Sequence, residues 1–149
     1  SSGGANGVSL TTVTGTSNFG AGSLIGATFP TFLINGSNGS VTYNGTITQN
    51  TVGQRVVDIQ NKTGGTINLG GAISSTGGTG TGILLNANSG ATVNFTGGIS
   101  LNTGANAAFT APAVERLAPP RTTRPSSTPS SRPPARRSMF RIRRSAGVA

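Results

Sequence analysis

Residues 39–111 are one unit written nearly three times at a fixed 26-residue interval, and this periodicity restricts the fold more than any other property of the chain. The units are 39–64, 65–90 and 91–111. Laid one under another they keep the same columns apolar: Val41, Ile67 and Val93; Tyr43, Leu69 and Phe95; Ile47, Ile73 and Ile99; Val57, Ile83 and Phe109; Ile59, Leu85 and Ala111. Glycine holds a further column, Gly45, Gly71 and Gly97. A constant period with a constant apolar register is the mark of a solenoid, in which each repeat buries its inner face against its neighbours.

Within a unit, Val41-Thr42-Tyr43, Gly45-Thr46-Ile47-Thr48 and Arg55-Val56-Val57-Asp58-Ile59-Gln60 alternate apolar and polar residues between Asn- and Gly-rich corners. Such alternation predicts short strands with one face inside, three to a repeat, and therefore a coil of three faces. The closest equivalent of each strand lies one repeat later and runs the same way, so parallel stacking about 4.8 Å apart keeps every column in register. A slip of one residue would turn Val41 and Tyr43 outward. Hairpin meanders and propeller blades are the alternatives, and they are disfavoured because two-residue primed turns do not recur at one fixed place. The expectation is an all-β chain, a parallel β-solenoid with 26-residue rungs.

Residues 1–38 read as an irregular first rung or N-terminal edge. Thr31 to Asn35 stand one full repeat before Val57 to Asn61, so one more half-rung is expected there, and Pro30 marks a strand start or an interruption. The sharpest boundary lies near Ala111. Residues 1–111 hold Arg55, Lys62 and Asp58 and 23 of the 24 glycines, whereas residues 112–149 hold nine arginines, Glu115 and seven of the eight prolines. The overall charge of +9 thus belongs almost entirely to that second part, a Pro/Arg/Ser-rich tail expected to be disordered or irregular. The chain begins at Ser1 without a signal-peptide pattern and is read as a fragment or processed product.

The motifs NGTI (44–47), TGGTINLGGAIS (63–74) and SGATVNFTGGISL (89–101) resemble the glycine-, threonine- and asparagine-rich repeats of large bacterial surface proteins, the autotransporter passenger and adhesin class. The resemblance covers about residues 31–111 and is periodic and compositional. It implies a right-handed parallel β-helix, a place outside the cell or on the bacterial surface, and a structural and adhesive role. It carries no functional residue across. The partners it implies are a host-surface or matrix ligand, or further copies joined through open strand edges.

The inventory of reactive groups argues against an enzyme. The chain has no His and no Cys, and Asp58 is the one carboxylate before residue 112, so neither a Ser-His-Asp triad nor a pair of carboxylates for glycoside cleavage can be assembled there. No catalytic residue, cofactor or metal is expected. Asp58 aligns with Leu84 and Thr110 and is read as a solvated carboxylate near Arg55 or Lys62. Gly77 to Gly82 has the glycines of a calcium or phosphate loop without the ligands and reads as a turn. An ice-binding face would need a threonine array, but Asn68 and Asn94 follow Thr42 down its column.

The arginines Arg136, Arg137, Arg141, Arg143 and Arg144 are the candidate anion-binding residues, through which the tail would engage nucleic acid or an anionic membrane. A third reading accounts for the abrupt boundary. In a GC-rich gene, codons for Gly, Thr, Ala and Val read out of frame yield Arg, Pro, Ser and Ala. Moving the frame two bases on across Ser138-Met139-Phe140 gives Asn, Asp, His or Tyr followed by Val. Residues from about 112 are therefore expected to be a frameshifted continuation of the repeats.

Overall fold

Apolar side chains at every second position of short segments need a second layer to bury them, and here the layer is the same segment one repeat later. The structure, a computed structural model, describes residues 2–76 and 81–112. In chain order the strands are β1 (Val8–Thr11), β2 (Thr16–Asn18), β3 (Ser23–Ile25), β4 (Phe32–Asn35), β5 (Ser40–Tyr43), β6 (Thr46–Gln49), β7 (Val57–Gln60), β8 (Thr66–Leu69), β9 (Ile73–Ser75), β10 (Ile83–Asn86), β11 (Thr92–Phe95), β12 (Ile99–Leu101) and β13 (Phe109–Thr110). Every third strand joins the same sheet. The three sheets run β1-β4-β7-β10-β13, β2-β5-β8-β11 and β3-β6-β9-β12, and all pairs are parallel. The described residues are thus a β-solenoid of about four turns with no helix among them.

The columns read from the sequence are the columns of the coil. Val41 pairs with Ile67 and Ile67 with Val93; Tyr43 with Leu69 and Leu69 with Phe95; Ile47 with Ile73 and Ile73 with Ile99; Val57 with Ile83 and Ile83 with Phe109. All but the last member of each of these columns are buried, and they form one continuous core with Phe32, Ile34, Val56 and Ile59. The Phe32 and Tyr43 rings sit 5.9 Å apart inside it. The glycine column has a steric cause: a methyl on Gly71 would overlap the carbonyl oxygen of Gly45, and one on Gly97 would overlap that of Gly71. Two backbones pass too closely at that corner for any side chain.

The period is not constant toward the N-terminus, which corrects the alignment of β4 read from the sequence. Phe32, not Thr31, pairs with Val57, so this rung is shorter than the central ones by one residue, and the rung from Val8 to Phe32 is shorter by two. The shift follows from burial. It places Phe32 and Ile34 inside and turns Leu33 and Asn35 outward, whereas the central register would have put Phe32 and Ile34 outside. Residues 8–25 supply three strands to the same three sheets. There too the rungs are short, by two residues between Ser17 and Val41 and by three between Leu24 and Ile47.

Candidate binding surface

Alternation that sends one residue of each pair inward sends the other outward, and many outward residues of this coil are hydroxyls and amides that bond across neighbouring rungs. On the sheet of β5, Asn94 Nδ2 donates to Asn68 Oδ1 at 2.8 Å, and Ser40 Oγ accepts the backbone N–H of Thr66 at 3.0 Å. On the sheet of β6, the Thr48 and Ser74 hydroxyls lie 3.0 Å apart and Thr46 Oγ1 donates to Ser23 Oγ at 3.1 Å. At the corner just past β7, Asn61 Nδ2 donates to Asn35 Oδ1 at 2.8 Å, one position beyond Gln60, which is in register with Asn35. These bonds hold the paired side chains in place, so the faces of β5 and β6 present preset donors and acceptors.

Charge is nearly absent from these faces. The three charged side chains among the described residues are Arg55, Asp58 and Lys62. Asp58 does not stand solvated as expected: it is 3% exposed. Its position is outward, between Leu33 and Leu84 on the neighbouring strands, but Arg55 Nη1 donates to Oδ2 at 2.9 Å and Gln60 Nε2 to Oδ1 at 2.6 Å. Two apolar neighbours leave the carboxylate little water, and the two flanking side chains supply the bonds that water would have made.

Lys62 is the residue that sequence reasoning missed. It makes no ion pair with Asp58 and is fully buried at the corner between β7 and β8, where Nζ donates to the Gly39 carbonyl oxygen at 2.6 Å. Asn88 closes the same corner from above, accepting the Lys62 backbone N–H at 3.1 Å and donating to the Ile59 carbonyl at 2.8 Å. Burial lowers the Lys62 ammonium below its ordinary value of 10.5. The available signal was length: residues 61–65 join β7 to β8, one residue more than residues 36–39 use between β4 and β5. Tyr43 is the other perturbed group, its phenol pushed above 10.0 by burial in the core.

Besides Phe19 and Ile25 near the N-terminal end, apolar side chains reach solvent in two places. Phe29 and Val52 project from the corners that lead into β4 and β7, which stack on one edge of the coil and are tied together by Gln49, whose Nε2 donates to Phe29 O at 3.1 Å and to Arg55 O at 3.3 Å. The second place is the last rung. Ile99 is 43% and Phe109 47% exposed, Val93 and Phe95 are half-buried, and an open groove of about 240 Å³ lies among Leu85, Ala87, Val93, Ala111 and Pro112. These are the upper members of the core columns with nothing above them among the described residues. Arg136, Arg137, Arg141, Arg143 and Arg144, together with the expected disorder of the tail, lie outside the described residues, and so does most of the expected turn at 77–82. Comparison of the chain with protein-family models, with curated proteins and with solved structures finds no match.

Proposed function

We propose that this chain is a segment of a structural and adhesive β-solenoid, displayed on a bacterial surface or secreted, that resembles autotransporter passengers. The observation that carries this reading is the set of polar ladders: outward Thr, Ser and Asn side chains locked in rows along a stiff coil, with almost no charge and with Phe29 and Val52 exposed at a corner. A surface of this kind suits hydroxyl-rich or amide-rich ligands, such as glycans and extended matrix polypeptides, which it would hold by many individually weak hydrogen bonds.

The test is adsorption of the full chain to polysaccharide-coated and collagen-coated surfaces at low and high salt. The adhesive reading expects retention at high salt and loss on Thr48→Arg or Asn68→Arg. A second reading is supported by the nine arginines of residues 112–149, which would engage nucleic acid or anionic lipid. That reading expects binding that collapses at high salt and on deletion of 112–149, because phosphate contacts release counterions.

A further inference from the structure

The two ends of the described solenoid differ. At the N-terminal end one inward column shrinks, Ser17 standing under Val41, while Leu24 under Ile47 and Leu10 under Ile34 keep their size, and the end is covered by chain. Residues 2–7 run beneath residues 25–31, through Gly3 N–H to Ile25 O at 3.2 Å, Phe29 N–H to Ala5 O at 2.8 Å and Asn6 Nδ2 to Pro30 O at 2.7 Å. At the C-terminal end the columns stop at full size on Val93, Phe95, Ile99 and Phe109, and the upper edges of β11, β12 and β13 have no partner strand among the described residues. An apolar layer with three open parallel edges in phase is the seat of another rung.

We propose that its occupant is a further rung of the same solenoid, encoded by the nucleotides of residues 113–149 read two bases on. This inference rests on the fold and on codon arithmetic, not on the adhesive role. In the shifted frame each codon takes the third base of one residue's codon and the first two bases of the next. Pro codons, and Arg codons of the CGN type, then contribute Thr, Ala, Ser or Pro. Ser codons of the TCN type contribute Ile, Leu, Val or Phe. Thr, Met and Ile contribute Asn, Asp, His or Tyr, and Ala and Val contribute Gly, Ser, Arg or Cys.

Across Ser138-Met139-Phe140-Arg141-Ile142 the shifted reading is an apolar residue, a residue of the Asn group, Val, Ser or Pro, and a second residue of the Asn group. The Val is forced, because Met ends in G and Phe begins with TT. This is the alternation of Val57-Asp58-Ile59-Gln60-Asn61, the strand and corner of β7. Upstream, Ala135-Arg136-Arg137 becomes a Gly-group residue and two residues of the Thr group, which includes the Ala107-Ala108 that leads into β13. Downstream, Ser145-Ala146 becomes an apolar residue and one of the Gly group. None of residues 113–149 forces a stop in that frame. The apolar position at 138 would stand further from Phe109 than Phe109 stands from Ile83, making a longer rung than the central ones, and Ser126, Ser127, Ser130 and Ser131 also become apolar within it where their codons are TCN.

Two measurements test the proposal. The first is the coding DNA. Arg codons of the CGN type and Ser codons of the TCN type over 135–146, with the shifted frame open, support it; AGA or AGG arginine codons, AGT or AGC serine codons, or a stop in that frame overturn it. The second is hydrogen exchange of a chain expressed with the frame restored, against the chain as it stands. Exchange at least about tenfold slower for the amides of Ile99 to Leu101 and Phe109 is expected, since those strands would leave the fraying end of the stack. Unchanged exchange in the restored chain overturns the proposal. So does protection that appears in the chain as it stands only at high concentration, which would make a second copy the occupant.

Discussion

The Nζ of Lys62 donates a 2.6 Å hydrogen bond to the carbonyl oxygen of Gly39, the residue that leads into β5 one rung below. A cation is thereby enclosed at the corner that follows β7, while the other charged side chains among the described residues, Arg55 and Asp58, satisfy each other at β7.

The burial of Lys62 gives the solenoid an alkaline stability profile. The unfolded chain holds the Lys62 proton to 10.5, the folded chain releases it at lower pH, and between the two the unfolded state binds more protons. Stability therefore rises with pH through that window. Tyr43 acts oppositely: its folded phenol titrates above 10.0, so above that pH the unfolded chain ionises first and stability falls. Urea midpoints should climb as the pH rises toward 10.5 from below, and the climb should be opposed once the pH passes 10.0. In Lys62→Met the climb should vanish while the fall above 10.0 stays.

The glycine column should tolerate no side chain. Gly71→Ala sets a methyl against the Gly45 carbonyl, backbone against backbone, and neither can rotate away. A loss of about 1–3 kcal/mol or more is expected from such overpacking. Gly98 is the control. It stands next to the column with open space at its Cβ, and Gly98→Ala should shift the thermal midpoint little.

Truncation along one column should cost less toward the open end. Ile73 is enclosed between Ile47 and Ile99, and Ile73→Ala should destabilise by about 2–5 kcal/mol. Ile99→Ala removes the same atoms from a site already 43% exposed and should cost well under half as much. Chemical denaturation of the two variants reads the difference, and equal losses would mean that Ile99 is covered in solution.

Asp58 should be dispensable as a charge. Its Arg55 partner is 37% exposed, so solvent screens the pair, and Leu33 and Leu84 flank it. Asp58→Leu would extend that apolar row and should be neutral or slightly stabilising, as apolar replacements of covered ion pairs often are. Asp58→Ala, which leaves a gap beside Arg55 and Gln60, should be the more harmful of the two in thermal melts.

What the sequence made legible is what repeats. Val41, Ile67 and Val93 could be aligned because burial acts identically on each rung, and the same force then sets the register. The one-residue shift at Phe32 was not legible, because the joining corners differ in length and spacing alone cannot say where the extra residue sits. Phe32 and Ile34 settled it by being the larger apolar pair. The covering of Asp58 depended on Leu33 and Leu84 in other rungs, and the burial of Lys62 on a carbonyl one rung below. Neither leaves a periodic trace. The outward ladders were half visible: Asn68 over Asn94 follows from the period, but their bond needs the rotamers.

The central claim is the order of the columns, and methyl-labelled isoleucine in the intact chain tests it most directly. With strands about 4.8 Å apart, methyl-to-methyl nuclear Overhauser effects should connect Ile47 with Ile73 and Ile73 with Ile99, with none between Ile47 and Ile99. Isoleucine methyls at 47 and 73 that show no mutual contact, or that exchange magnetisation freely with water, would contradict it.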